Sequence, residues 1–326
     1  MIRPTFPLIP PIANERAAFP TEPFDPSARE RLRRTPGVHR PTRPCNIYGI
    51  VLVDEPFLQL ITPVLANVAG ISAVVLGGSR VRGTAKERSD YDVGLYFSRL
   101  VPLDTHALAA ALRTVVDDPQ YATVTPIGEW GPWIVGGGWL QLGGRKLDLL
   151  YREVEAVDRV IAEACEGVTS MHYQPGHPHG FCSAHWMGEV ALCRPLHDPL
   201  GVIARLKSKT APYPRPLRDA LIRRFRWEVQ FSIENAELAV ARSEQTHIVG
   251  CAYRALCCLA QVLYARNERY LINEKGALAE AAAFPLTIAN LSARVEAIWR
   301  SIGLNEHGVA LAELRRLDAD LQSVCT

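Results

Sequence analysis

The 326-residue sequence lacks several signals that would assign it to a specialised class of protein. Its eight cysteines form no CxxC pair and no regular spacing, which argues against a disulfide framework and favours reduced, buried thiols in a cytoplasmic protein. Its formal net charge is only +2, below the basic excess typical of nucleic-acid-binding proteins. Residues 1–20 are interrupted by proline every few positions and lack the apolar core of a secretion signal.

The sequence also lacks a long, uncharged apolar run. The most apolar stretch, residues 248–265, is marginal in length for a membrane span and contains Arg254. We therefore predict a helix buried in a protein core at this position, and no membrane partner.

Proline and arginine divide the chain into segments of different character. Ten of the 24 prolines fall within residues 1–44, so we interpret residues 1–45 as a Pro/Arg-rich extension with little regular structure of its own. Residues 46–165 mix β-branched runs with helical patterns and predict an α+β domain. Residues 166–198 predict a connecting segment that holds a GHPHG loop, and residues 199–326 predict a helical domain.

Hydrophobic spacing predicts the elements of both domains. In the first, we expect a helix from Phe57 to Val68, strands at 72–76, 91–97, 121–126 and 145–151, and a helix at 107–115, which together give a small mixed sheet. In the second, we expect a long helix marked by Ile222 to Val240, a helix from about Thr246, and helices at 288–301 and 309–323 that complete a bundle.

A glycine-rich turn follows the first predicted strand. Gly77 and Gly78 allow the backbone to approach a bulky anion, and the Ser79 hydroxyl with the following N–H groups suits phosphate oxygens. This turn predicts a cradle for a triphosphate.

Three aspartates accompany the turn. Asp90 and Asp92 point to the same side of a strand because alternate residues share a face, and Asp148 stands among apolar residues in what should be a neighbouring strand. Adjacent carboxylates repel each other and are best tolerated around a hard divalent cation. The trio therefore predicts a Mg²⁺ site with two ions, suited to in-line displacement at phosphorus, in which Asp148 can also act as a base.

The ordered combination of Gly78-Ser79, Asp90-Tyr91-Asp92 and Asp148 resembles the DNA polymerase β-like nucleotidyltransferases. The two-domain plan is similar to that of the antibiotic nucleotidyltransferases and their uncharacterised bacterial relatives. The resemblance implies transfer of a nucleoside monophosphate, AMP from ATP in our expectation, with release of pyrophosphate. It also places Arg80 and Gly83 in the nucleotide-binding stretch, and it suggests that Lys275 contacts the phosphates, although a solvated lysine is an equal alternative.

Two further residues are candidates on the acceptor side of the site. Glu129 lies among Trp130, Trp133 and Trp139 and could serve as a base, against the simpler interpretation as an exposed turn residue. His179 belongs to the GHPHG segment, for which a structural junction, a substrate-facing loop and a zinc site are alternatives in that order.

The acceptor itself is open at this stage. A small hydroxylated molecule is our first hypothesis because the chain lacks a strong basic field. RNA ends are the second, with the arginines between Arg215 and Arg226 and the N-terminal extension as tracks for phosphates. A non-catalytic module that binds nucleotide is the third, and the intact carboxylates count against it.

Overall fold

A computed structural model describes residues 56–325 of the chain. The predicted extension at 1–45 and the start of the first predicted domain lie outside these residues. Five strands form the main sheet in the order β3-β4-β2-β1-β7, and β5 pairs with β6 in a separate hairpin. The strands are β1 (Ile71–Leu76), β2 (Tyr91–Phe97), β3 (Gly137–Leu142), β4 (Arg145–Glu153), β5 (Met171–Gln174), β6 (His177–Cys182) and β7 (Arg194–His197).

Helices flank the sheet and make up the C-terminal half of the described chain. They are α1 (Pro56–Ala66), α2 (Gly78–Arg82), α3 (Thr105–Leu112), α4 (Val154–Cys165), α5 (His185–Leu192), α6 (Val202–Ser208), α7 (Arg215–Val240), α8 (Gln245–Arg266), α9 (Ala277–Ala281), α10 (Leu291–Gly303) and α11 (His307–Cys325). The part of the chain that contains the sheet is followed by a helical region, which confirms the predicted α+β class.

The two faces of the sheet belong to two hydrophobic cores. Odd-numbered residues of β2, such as Val93 and Leu95, pack with α1 and α3. On the opposite face, Val75 and Tyr96 join a core that extends through the helices as far as α11. Strand alternation therefore places Asp92 on the second face.

Helix α8 contains the apolar stretch that the sequence analysis singled out. Among the described residues it is the one helix long and apolar enough to cross a membrane, but 72% of its most apolar window is buried inside the protein. It packs beside α7, whose Phe225, Val229 and Ile233 are fully or almost fully buried. The burial agrees with the prediction of a core helix.

The predicted strand at 121–126 is wrong. Asp118 caps a short 3₁₀ turn, Pro119–Tyr121, and the chain that follows is irregular. The Thr125 N–H donates to the Gly137 carbonyl oxygen as it would in a strand, but the Gly137 N–H donates to the Thr125 hydroxyl and not to its carbonyl oxygen. The Thr125 carbonyl oxygen instead accepts from the Tyr151 hydroxyl. Side chains thus replace the backbone ladder that a strand requires.

The predicted GHPHG loop is also wrong in its form. Residues 171–182 form the β5–β6 hairpin, in which Gln174 pairs with His177 across a tight turn. The strands β3 and β7 were not predicted. The domain boundaries proposed at residues 165 and 199 remain a prediction. One hydrophobic core continues across both positions, because α4 and the C-terminal helices belong to the same cluster of buried residues.

Candidate active site

Two of the three aspartates stand side by side on adjacent strands. Strands β2 and β4 run parallel, and Asp92 is the register partner of Asp148. Register partners in neighbouring strands point to the same face and lie about 5 Å apart. Asp90 comes just before β2, two positions from Asp92, so the sheet brings the predicted carboxylates to one place.

The Gly-Ser turn is fitted tightly against Asp92. The Gly77 N–H donates to the Asp92 carbonyl oxygen at 2.8 Å, which continues the pairing of β1 with β2 into the turn. Gly78 has a φ of +65°, and a Cβ atom at this position would stand 1.7 Å from the Asp92 Oδ2 atom. Only glycine leaves room for the carboxylate here.

A cleft of about 510 Å³ opens over this end of the sheet. Gly77, Gly78, Ser79 and the three aspartates line one side of it, and Lys275, in the segment between α8 and α9, lines another. The aliphatic part of the wall comes from the sheet, α2, α5 and the loops, namely Val75, Val81, Ile134, Leu150, Leu192 and Ile272. The cleft therefore combines an apolar wall, a turn suited to phosphates and a carboxylate cluster.

Burial and mutual repulsion dominate the electrostatics of the carboxylates. Burial, followed by the neighbouring Asp90 and Glu189, raises the pKa of Asp92 above its usual range, while Lys275 and Arg82 act in the opposite direction. Burial together with Asp92 and Asp90 raises the pKa of Asp148 to about 6. The cluster thus concentrates negative charge that the nearby cations offset only in part.

The three aspartates fit magnesium, because all their side-chain metal ligands are carboxylate oxygens. Two of the aspartates, Asp92 and Asp148, are also register partners. Within residues 56–325, however, no three His, Cys, Asp or Glu side chains converge as a ready-made metal centre. The carboxylates would have to turn towards an ion on binding. The same finding gives no support to the zinc alternative for the histidine-rich segment.

Two residues of the predicted nucleotide-binding stretch lie outside the cleft. The Arg80 guanidinium donates to the carbonyl oxygens of Ser89 (2.5 Å) and Asp90 (3.2 Å) and lies 3.6 Å over the Tyr91 ring. It thereby holds the backbone that carries Asp90. Gly83 ends α2 in the left-handed conformation, with no atom of the described residues within 4 Å of the position of a Cβ.

Arg82 and Arg88 line the cleft instead. Residues two apart on a helix project about 200° apart, so Arg80 and Arg82 cannot face the same way, and the sequence does not show which one faces inward. Arg82 forms an ion pair with Glu280 at 3.4 Å, while its buried Nε–H has no hydrogen-bond acceptor within residues 56–325. That donor is suited to a phosphate oxygen.

The predicted acceptor-side residues are not brought to the cleft. Glu129 is exposed in a turn, and His179 lies 5% exposed in the core, its ring centroid 6.0 Å from that of Phe225. His177 lines the cleft in place of His179, with its Nδ1 atom 3.9 Å from the Glu274 carboxylate. Burial lowers the pKa of His177, so its imidazole is neutral at physiological pH.

A buried ion pair forms the floor of the cleft. Arg152, on β4, is 2% exposed and donates two hydrogen bonds of 2.8 Å to the carboxylate of Glu189 on α5. Neither residue was predicted. Arg152 follows the apolar run of β4, where a charged side chain needs a partner, but the sequence does not identify Glu189 as that partner.

Residues 60–132 match the model of the nucleotidyltransferase domain family. This chain contains a nucleotidyltransferase domain. The match includes the Gly-Ser turn, Asp90 and Asp92 and ends before Asp148. The match supports a transferase with the general activity of this family, the transfer of a nucleoside monophosphate.

Comparison with solved structures gives a nucleotidyltransferase-like protein from Exiguobacterium sibiricum 255-15. It is 11% identical, with 81% of this chain and 73% of that chain covered and a TM-score of 0.37. A comparison with curated proteins found no significant match. The assignment of the domain therefore depends on the family match and on the geometry of the site.

Proposed function

We propose that the protein is a Mg²⁺-dependent nucleotidyltransferase that transfers AMP from ATP to a hydroxyl group of a small acceptor and releases pyrophosphate. The observation that carries the proposal is the register of Asp92 with Asp148 beside the Gly-Ser turn, in a cleft large enough for a nucleotide. The seven described cysteines are all unpaired, in agreement with a reaction in the cytoplasm.

The residues of the cleft divide the work by their chemistry. Ser79 and the turn before it bind the triphosphate, and Arg82 and Lys275 add positive charge to it. Asp90, Asp92 and Asp148 would hold two magnesium ions, which when bound supply charge neutralisation to the attacking and leaving oxygens. Asp148 takes the proton from the acceptor hydroxyl, because it stands at the outer edge of the carboxylate row.

Ion pairs of two of the five arginines in α7 favour a small acceptor over RNA. Arg218 pairs with Asp219 and Glu268, and Arg224 pairs with Glu228. Ion pairs of this kind reduce the positive charge that the helix can offer to a phosphate backbone. We therefore keep RNA as an outcome of the test.

The test is transfer of label from each α-labelled NTP, with Mg²⁺, to a mixture of small molecules and RNA. We compare the wild-type protein with the Asp92→Asn variant. The matched control is Asp104→Asn, because Asp104 caps α3 outside the cleft and the variant loses the same charge.

We expect label in the small-molecule fraction, a preference for ATP, and a loss of at least about a hundredfold in Asp92→Asn but not in Asp104→Asn. Label in the RNA fraction would replace the small acceptor by RNA. Binding of NTP without any transfer would refute the transferase activity and favour a regulatory nucleotide-binding module.

A further inference from the structure

Helix α7 presents large apolar side chains to solvent. Trp227, Phe231 and Leu238 are 60%, 50% and 67% exposed. Their spacing puts them on one face of the helix, because residues at i, i+4 and i+11 lie within about 40° of one another around the axis. The rings of Trp227 and Phe231 stack on each other, with centroids 4.9 Å apart and planes inclined by 14°. Apolar side chains grouped in this way are typical of a surface that binds a partner.

Charged residues of opposite sign lie on the same face of α7. Arg223 stands one turn before Trp227, and Glu234 stands one turn before Leu238. Both charged side chains are exposed. The five residues span about 22 Å along the helix. We call them the α7 stripe, namely Arg223, Trp227, Phe231, Glu234 and Leu238.

The two charges of the α7 stripe have no counterion among the described residues, unlike the charges beside them. Arg224 is taken by an ion pair within α7, and Glu237 accepts hydrogen bonds of 2.8 Å and 2.6 Å from Arg315 on α11. Arg223 and Glu234 form no ion pair within residues 56–325. The stripe therefore offers a partner one cation and one anion, about 16 Å apart along the helix.

A second copy of the α7 stripe matches this pattern when the two helices run antiparallel. The midpoint between Trp227 and Phe231 and the midpoint between Arg223 and Glu234 differ by about half a residue, which is under about 1 Å along the helix. One twofold axis therefore sets each Trp227 opposite Phe231 of the other copy and, in the same register, each Arg223 opposite Glu234 of the other copy. A parallel pair would instead set like charges against each other.

We propose that the α7 stripe is the interface of a homodimer in which two copies of α7 pack antiparallel. A contact limited to one face of a helix is small for a protein interface, and we expect a dissociation constant on the order of 10 µM. None of the described residues that line the cleft of the active site belongs to α7. Each copy keeps its own cleft, so the inference does not depend on the proposed transfer reaction.

The first experiment measures the mass of the full chain in solution. Sedimentation velocity between about 1 and 200 µM should show a change from monomer to dimer as the concentration rises. A monomer throughout this range would overturn the inference. Assembly that continues beyond the dimer would also overturn it, because a twofold contact between identical surfaces closes at two copies.

Aromatic variants locate the interface. Trp227→Ala and Phe231→Ala should each weaken the dimer at least about tenfold, because large rings dominate interfaces of this kind. The control Tyr173→Ala removes a ring that is 90% exposed on β5 and should leave the dissociation constant unchanged. Unchanged dimerisation in both stripe variants, or an equal loss in the control, would overturn the inference.

Charge reversal tests the antiparallel register. Arg223→Glu and Glu234→Arg should each weaken the dimer about tenfold, because like charges then face each other across the axis. The double variant restores opposite pairs and should return to within about threefold of the wild-type dissociation constant. The control Arg113→Glu makes the same reversal at the exposed end of α3 and should have no effect. A double variant as weak as the single variants would overturn the antiparallel contact.

A mixture of the two single reversal variants guards against misfolding. One variant then supplies the acidic group to both pairs and the other supplies the basic group, so the mixture should dimerise more tightly than either variant alone. Failure of the mixture to dimerise, with urea unfolding of both variants like that of the wild type, would overturn the pairing of Arg223 with Glu234.

The last measurement concerns nucleic acid as the occupant of the α7 stripe. Stacked rings beside an arginine also suit single strands, but Glu234 and Glu237 repel phosphates, so we expect no binding of an oligouridylate to the stripe. Salt-dependent binding of the oligouridylate that is lost in Trp227→Ala, by a protein that sediments as a monomer, would assign the stripe to nucleic acid and overturn the dimer.

Discussion

Replacement of Gly78 by alanine should reduce activity far more than stability. The added Cβ atom would stand 1.7 Å from the Asp92 Oδ2 atom and 2.6 Å from its Cγ atom. Because the obstructing atoms are the end of a rotatable side chain, the carboxylate can swing away at little cost. It must move by at least about 1.7 Å to reach an ordinary contact distance, and a displacement of about 1 Å at a reacting centre costs roughly a hundredfold in rate.

The stability of the variant should change by a separate and smaller amount. Gly78 has a φ of +65°, and an alanine in the left-handed conformation costs about 1 kcal/mol of the free energy of unfolding. Gly83→Ala is the matched control, because Gly83 has a φ of +71° and the described part of the chain places no atom within 4 Å of the added Cβ. The two variants should therefore lose similar stability, while only Gly78→Ala loses activity.

Urea unfolding and the rate of label transfer measure the two effects on the same preparations. A Gly78→Ala variant with the transfer rate of Gly83→Ala would refute the reasoning, because it would show that the position of the Asp92 carboxylate is not limiting. A variant that loses several kcal/mol more than the control would show that the backbone, and not the side chain, absorbs the clash.

Two further predictions concern stability. Glu189→Gln should lower the free energy of unfolding by about 3 kcal/mol, because it leaves the buried Arg152 guanidinium without its partner charge. The control Glu163→Gln breaks an exposed pair with Arg159 and should cost less than about 0.5 kcal/mol. Equal losses for the two variants in urea unfolding would contradict the buried pair. Burial lowers the pKa of His179 from 6.5 to about 4. As the pH falls, the imidazole of His179 is therefore protonated in the unfolded chain before it is protonated in the folded protein. The stability that neutral His179 contributes is complete above pH 6.5 and is lost between pH 6.5 and about 4. Between pH 7 and pH 5 the wild-type protein should therefore lose about 2 kcal/mol more than His179→Gln, and parallel curves for the two proteins would show that this imidazole does not titrate as described.

Local signals in the sequence were sufficient for much of the fold and for the centre of the site. The Gly-Ser turn and Asp90-Tyr91-Asp92 lie within 16 residues and follow strand alternation, so their joint position required no knowledge of distant contacts. The long helices α7, α8 and α11 carry several turns of apolar periodicity each. Strand β3 escaped prediction because it begins with two glycines, which are poor strand formers, although Gly137 is required where a Cβ would stand 1.8 Å from the Leu149 carbonyl oxygen.

The sequence by itself therefore determined the kind of chemistry, because the residues that carry it are close in the chain and their spacing follows the period of a strand. Only the tertiary structure decided which of several equivalent side chains lie at the cleft. It directed Arg82 into the cleft and Arg80 away from it, left His177 at the rim and buried His179, and placed Trp139 next to Asp148. These choices depend on strand register and on packing between distant segments, which local spacing does not encode.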